Sequence, residues 1–115
     1  MHGDPSVLKV DGNIHMEDKD LYSGLIRLHI LYHAAEGQIF GLGIIEELSR
    51  HGYKLSPGTL YPILHGMEKK GHLRSEIEEA SGHFRRVYRI TPKGKKALEG
   101  AKEKVRELFG ELFES

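Results

Sequence analysis

At 115 residues, the chain is long enough for one domain with its own hydrophobic core and too short for two ordinary ones. It contains no cysteine, which excludes disulfides, thiolate zinc sites and cysteine nucleophiles. No apolar run approaches the roughly 20 residues of a membrane-spanning helix, and the N-terminus lacks a signal-peptide pattern, so we expect a soluble, cytoplasmic protein.

The net charge of zero conceals a partition along the chain. Residues 50–96 hold eleven Lys or Arg against four Glu, for a net charge of +7, whereas residues 1–49 carry −5 and residues 97–115 carry −2. We expect an anionic partner such as nucleic acid to meet the basic middle of the chain.

Residues 1–20 give no clear pattern. The segment from Val7 to Met16 fits two short strands joined by a turn at Asp11-Gly12, and a flexible leader fits it as well. Both alternatives stay open at this stage.

Two helices are predicted next. The first begins at Leu21 and ends at Glu36-Gly37-Gln38. Its apolar stripe consists of Leu21, Leu25, Leu28, Tyr32 and Ala35, and Ile30 and Leu31 widen it, so we expect this helix to be largely buried. The second helix follows Phe40-Gly41 and ends near Gly52, a residue suited to a C-terminal cap.

A third helix between Ser56 and Gly71 has clear boundary signals. Ser56 can cap the first free N–H groups, Pro57 fits the first helical position, and Gly71 fits the C-terminal cap. Its apolar stripe is Leu60, Ile63, Leu64 and Met67. That stripe leaves Thr59, Tyr61, His65, Lys69 and Lys70 on other faces, where they can contact phosphates and base edges.

Pro62 lies inside this third helix, where proline removes a hydrogen bond, so we expect a distortion between Gly58 and Pro62. The second and third helices of the chain are joined by a short connection and make a helix-turn-helix. We expect the later of the two, the third helix of the chain, to enter a major groove.

After Gly71 the apolar pattern alternates, which predicts a β-hairpin. Its strands flank a turn at Ala80-Ser81-Gly82, and Leu73 and Ile77 face the same core as Tyr88 and Ile90. Arg85 and Arg86 place cations on the exposed edge of the hairpin, where they can contact phosphates. A helix-turn-helix followed by a basic hairpin is a winged helix.

Thr91-Pro92 opens a last helix that runs toward the C-terminus. Its apolar residues follow a heptad pattern that could pack on the first helix of the same chain or on a second copy. We expect a second copy, with a dimer interface formed by Leu98, Ala101, Val105, Leu108 and Leu112. The fold class is thus mainly α (α+β): a leader of residues 1–20, a winged helix-turn-helix of residues 21–91 and a C-terminal dimerisation helix of residues 92–115.

These motifs resemble those of the PadR-type winged-helix transcriptional regulators, in the short branch with one C-terminal helix. The resemblance covers about residues 21–100, and its most specific part is the segment Ser56-Pro57-Gly58-Thr59-Leu60-Tyr61-Pro62. It implies a homodimeric repressor of a palindromic operator on double-stranded DNA. It also implies DNA contact by Ser56, Gly58, Thr59, Tyr61, Arg85 and Arg86, to which our own interpretation of the helix faces adds His65 and Lys69.

The resemblance further implies a small hydrophobic or phenolic effector, or a drug-like cation, near the first and last helices. Tyr32, Phe109 and Phe113 are candidates for lining its pocket.

Other functions fit less well. Among eight histidines, His29 and His33 have the i, i+4 spacing of metal ligands, but no third ligand is evident, so we predict no metal site and no cofactor. No nucleophile elbow or phosphate-binding glycine loop occurs, which argues against an enzyme. The alternative to a DNA-binding regulator is a winged-helix module that binds only proteins.

Overall fold

The structure is a computed structural model that describes residues 18–114. Over this part of the chain it has four α-helices and one antiparallel three-stranded sheet. In chain order the elements are α1 (Lys19–Glu36), β1 (Ile39–Phe40), α2 (Gly41–Arg50), α3 (Pro57–Lys69), β2 (Leu73–Ala80), β3 (His83–Ile90) and α4 (Pro92–Phe113). The mainly α winged-helix fold is as predicted. The hairpin or flexible leader that we predicted at the N-terminus lies almost entirely in residues 1–17, outside the described part of the chain.

Helix α1 buries Ile30 and Leu31 as predicted, but the main stripe that we predicted does not face the core. The stripe that begins at Leu21 is exposed or half-buried. The buried side chains of the helix are Ile26, Ile30, Leu31 and Ala34. Both sets recur at helical spacing, so the spacing alone cannot choose between them. Helix α1 therefore has two apolar faces, and only one of them packs into the core.

Helices α2 and α3 end in the same way. Gly52 and Gly71 follow them with positive φ angles of 89° and 86°. The next N–H then donates back to the last turn, from Tyr53 to the Leu48 carbonyl (3.0 Å) and from His72 to the Met67 carbonyl (2.9 Å). These are Schellman caps, in which glycine avoids the steric cost of a left-handed backbone.

The start of α3 is capped as predicted, because the Ser56 hydroxyl accepts a hydrogen bond from the Thr59 N–H at 3.3 Å. Helix α3 then continues without a break through Pro62 to Lys69. The distortion that we expected at Pro62 therefore does not interrupt the helix. A proline ring within a helix crowds the carbonyl four residues earlier, which here belongs to Gly58, a residue without a β-carbon to add to the crowding.

The predicted hairpin forms, and a third strand joins it. Strands β2 and β3 pair from Leu73–Ile90 to Ala80–His83. The two turn residues, Ser81 and Gly82, have positive φ angles of 53° and 78°, as a type I′ turn requires. Strand β1 pairs with the other edge of β3, so the sheet order is β1-β3-β2.

One prediction about the hairpin faces was wrong. Leu73 and Tyr88 are buried as expected, but Ile77 is 56% exposed. It lies on the same face of the sheet, yet its cross-strand partner is Arg86, farther toward the hairpin tip and past the end of the core.

The Tyr88 hydroxyl is buried without a hydrogen-bond partner among the described residues, and burial raises the pKa of Tyr88.

The N-terminus of α4 is fixed against the end of α3. The Thr91 hydroxyl accepts from the Gly94 N–H at 2.9 Å and donates to the Gly71 carbonyl at 2.5 Å, while the Thr91 N–H donates to the His72 carbonyl at 3.1 Å. A β-carbon on Gly94 would lie 2.2 Å from that same His72 oxygen. Only glycine permits so close an approach of helix and backbone.

Candidate nucleic-acid interface

One face of α3 is open to a partner. Its positions follow the spacing of a single helical stripe opposite the buried Leu60, Leu64 and Met67. The exposed residues on it include Gly58, Pro62, His65 and Lys69, and Ser56 is exposed at its N-terminal end. Four of the residues that we predicted to contact DNA therefore lie together on the solvent side of α3 or at its start.

Two other predicted contact residues of α3 are half-buried. The Thr59 hydroxyl accepts a hydrogen bond from the Ser56 hydroxyl at 3.3 Å. Tyr61 packs against the core, with its hydroxyl and ring edge directly over Gly41 at the start of α2. A β-carbon at Gly41 would come within 2.0 Å of that hydroxyl oxygen, so the glycine leaves room for the tyrosine. Tyr61 thus joins α2 to α3, and its side chain is only partly exposed to a partner.

The hairpin of β2 and β3, here called the wing, carries its two arginines on opposite faces. Arg85 is the cross-strand partner of Glu78, with a nitrogen–oxygen distance of 3.3 Å, and its guanidinium lies 4.1 Å from the ring centre of Phe40. Glu78 also accepts from the Gln38 side chain at 3.0 Å, and this hydrogen bond, followed by Arg85, lowers the pKa of Glu78. The charge of Arg85 is therefore already partly balanced within the protein.

Arg86 has a different environment. It is exposed, and within residues 18–114 no carboxylate lies within 4.0 Å of it. Its guanidinium donates to the Ser75 hydroxyl at 3.0 Å, and that hydroxyl donates to Glu68 of α3 at 2.8 Å. The Ser75 N–H donates to the same Glu68 oxygen at 3.0 Å. This chain of hydrogen bonds holds the cation of the wing beside α3.

A second candidate site is a cavity of about 600 Å³ between α1 and α4. Tyr32 and Phe109, two of the three residues predicted for an effector pocket, line it together with Leu25, Leu28 and Val105. Phe113 does not line it but packs on Phe109, with ring centres 5.0 Å apart. The outer apolar face of α1, which the core does not use, forms one wall of this cavity.

The predicted dimer residues divide into two groups. Leu98 is buried and Ala101 is half-buried inside the protomer, against the rest of the domain. Farther along α4, Val105, Leu108 and Leu112 are 45%, 51% and 63% exposed. Together with Phe109 and Phe113, these three residues form what we call the outer seam.

The wall of the cavity also contains three histidines that the sequence did not bring together. His29 and His33 lie one turn apart on α1, and His51 follows the last residue of α2. Their ligand atoms all lie within 4.8 Å of one another. Burial, with smaller contributions from His51 and His33, lowers the pKa of His29, which favours its neutral form. A third ligand for His29 and His33 was not evident from the sequence, because His51 lies far along the chain, at the end of α2. Only the packing of α2 on α1 brings it close.

The comparisons with known proteins agree with the geometry of α3 and the wing. The profile of the "Transcriptional regulator PadR-like family" matches residues 30–100. The transcriptional regulator Rv3488 of Mycobacterium tuberculosis is 47% identical over 95 residues, which are 83% of this chain and 89% of that protein. The chain belongs to the PadR-like family of transcriptional regulators.

Solved structures of PadR-like regulators have the same fold. One from Bacillus cereus superposes with a TM-score of 0.71 at 27% identity, over 84% of this chain and 98% of its own. Another, from Eggerthella lenta, has a TM-score of 0.65 at 27% identity, over 88% and 99%. The resemblance inferred from the sequence motifs is thus confirmed.

Membership in the PadR-like family makes this chain a transcriptional regulator, a class that acts by binding DNA, and not an enzyme. The matched region contains α2, α3, the wing and the start of α4. Among the described residues, no helix has the length and apolar character needed to cross a membrane.

Proposed function

We propose that this protein is a ligand-responsive homodimeric repressor that binds a palindromic operator through α3 and the wing, in the cytoplasm. The observation that carries the proposal is the pairing of an exposed polar face on α3 with an unpaired cation, Arg86, held beside it through Ser75 and Glu68. An arginine without a carboxylate partner is free to bind a phosphate, and that contact fixes the register of the helix in the groove.

Base contacts come from the exposed part of α3. His65 and Lys69 lie on the solvent side, where the major groove would meet them. Ser56, Gly58 and Thr59 lie at the N-terminus of α3, where the helix dipole and the Gly58 N–H favour a phosphate, while the Thr59 N–H is capped by Ser56. The half-buried Tyr61 adds a contact through the part of its side chain that solvent reaches.

Dimerisation follows from the outer seam. Five large apolar side chains remain exposed on the last three turns of α4, which is unusual for a monomer of this size. A second copy related by two-fold symmetry would cover them and place two α3 helices on one face of DNA, hence a palindromic operator. A dimer bound there would block transcription of the adjacent gene.

The effector would occupy the cavity between α1 and α4. Its walls are mainly apolar and aromatic, which suits a small phenolic or hydrophobic ligand, and the cations at its edge, Lys102 and Arg106, are paired with Glu99 and Glu103. In a polarisation assay, a phenolic acid that occupies it should release DNA from the wild type. Phe109→Ala should raise the required concentration about tenfold, because the ring packs on the ligand; equal release from both proteins would contradict this assignment.

DNA binding is tested by selecting bound duplexes from fragments of the source genome and measuring their affinity by fluorescence polarisation. Arg86→Ala should weaken binding about tenfold, because it removes a charged contact to phosphate. It should also reduce the slope of log affinity against log salt by about 1. Arg85→Ala should have a smaller effect, because Glu78 already balances that charge.

Lys104→Ala is the matched control, since it removes one exposed positive charge from α4, away from α3 and the wing. It should leave the affinity nearly unchanged. If wild type and Arg86→Ala bind every duplex equally and without salt dependence, the proposal fails, and the alternative of a module that binds only proteins becomes the better one.

A further inference from the structure

The three histidines of the cavity wall have a carboxylate beside them. His33 and His51 each direct Nε2 toward the same oxygen of Glu47, at distances of 3.7 and 3.5 Å. Glu47 of α2 and His51, the residue after its last, are one turn apart, as His29 and His33 are on α1. The two i, i+4 pairs face each other, with the three histidines within 4.8 Å of one another and Glu47 next to His33 and His51.

We propose that His29, His33, His51 and Glu47 bind one divalent transition-metal ion of the Zn²⁺ class per protomer. Three imidazoles and a carboxylate are ligands that suit Zn²⁺, and imidazole also suits Ni²⁺ and Cu²⁺. With a metal–nitrogen distance of about 2.0–2.1 Å, two ligands of a tetrahedral ion lie about 3.3 Å apart. The distances from His33 and His51 to Glu47 are already close to this value. Side-chain rotation would shorten the remaining separations, which among the three histidines are at most 4.8 Å.

The surroundings of the four residues fit a metal site. The second Glu47 oxygen accepts from Arg50 at 2.6 Å, which orients the carboxylate as outer partners of metal ligands do. Tyr53 and Tyr32 contact His29 and His33 edge to ring, at centre distances of 5.3 and 5.1 Å, and so limit ring rotation. The His51 side chain is 46% exposed, which leaves a path for the ion from solvent.

A bound ion would join α1 to the C-terminal end of α2. The helices of this pair are now held by apolar packing and by one polar contact between them, from His33 to Glu47 at 3.7 Å. The site lies in the wall of the cavity between α1 and α4, and it needs neither DNA nor an effector to form.

The test is isothermal titration of Zn²⁺ into the full-length protein without a histidine tag, after chelator treatment and at a pH above the ordinary histidine pKa of about 6.5. We expect one Zn²⁺ per protomer and a rise in Tm, because the ion binds the folded chain. Loss of an outer partner already weakens metal binding about 10–100-fold, so His51→Gln and His29→Gln should each weaken it at least about 100-fold.

The exposed His51 is the safer of the two substitutions for folding, and the Tm of each variant without metal checks that the fold is retained. The control variant replaces His2, His15 and His83 with Gln and should bind Zn²⁺ as the wild type does. The proposal is overturned if the wild type shows no stoichiometric binding, or if His51→Gln and His29→Gln bind like the wild type. Because no DNA is present, failure of DNA binding would not affect the result.

Discussion

Gly94 and Gly100 lie on the same helix in opposite surroundings. A β-carbon on Gly94 would lie 2.2 Å from the His72 carbonyl oxygen, whereas one on Gly100 would meet nothing within 4 Å. Gly94→Ala should therefore lower the free energy of unfolding by about 3 kcal/mol, because neither the helix nor the backbone of His72 can yield without losing the Thr91 contacts. Urea denaturation at one fixed protein concentration measures this.

Gly100→Ala is the matched control for that measurement. It should raise the free energy of unfolding by about 0.5–1 kcal/mol, because alanine favours an open helical position over glycine. Equal effects of the two substitutions would show that helix propensity, and not the approach to His72, governs position 94.

Single residues were predictable where the local chain determines their role. Ser56 and Thr91 cap helices as their sequence context predicts, and Gly71 adopts the left-handed cap. The roles of Gly41 and His51 were not predictable, because each depends on a side chain of another helix, Tyr61 in one case and the α1 histidines in the other. Contacts between elements leave no periodic signal in the sequence.

At the scale of elements, long periodic segments were predicted well and short ones were not. The four helices and the wing follow from apolar spacing and caps. Strand β1 has two residues, which is too short for any alternation to appear, and only its pairing with β3 defines it. In α1 two stripes have similar spacing, so Ile30 and Leu31 were predicted correctly as buried but the stripe that begins at Leu21 was not, and part of that stripe lines the cavity.

The same limit applies to the candidate DNA site. The sequence placed Arg85 and Arg86 together at the hairpin edge, and adjacent residues on a strand necessarily point to opposite faces. Which of them is already paired depends on the cross-strand register, Glu78 with Arg85 and Ile77 with Arg86. The distinction between the two arginines therefore needed the structure, although their location did not.

For the whole molecule, the outer seam predicts a dimer that can be broken without unfolding the protomer. Leu108 is 51% exposed in the protomer, so Leu108→Glu should leave the domain folded. In a two-fold dimer the substitution acts twice, and burying one leucine contributes about 1.5–3 kcal/mol, so the dissociation constant should rise at least about 100-fold. Sedimentation equilibrium measures this, and circular dichroism checks the fold.

Leu42→Glu provides the comparison, because Leu42 is also an exposed leucine, at 66% against 51% for Leu108, but lies on α2 and not on the seam. It should not change the dimer dissociation constant. A wild type that is monomeric at micromolar concentration, or a Leu108→Glu protein that dimerises like the wild type, would rule out the seam as the interface.

The close approach at Gly94 has a consequence for the length of the DNA target. Thr91 and Gly94 fix the direction of α4 against residues 71 and 72, which directly follow α3. In a dimer joined through the far end of α4, the separation of the two α3 helices would then depend on this single junction. The number of base pairs between the half-sites of the operator would then depend on how tightly α4, at Gly94, packs on the backbone carbonyl of His72.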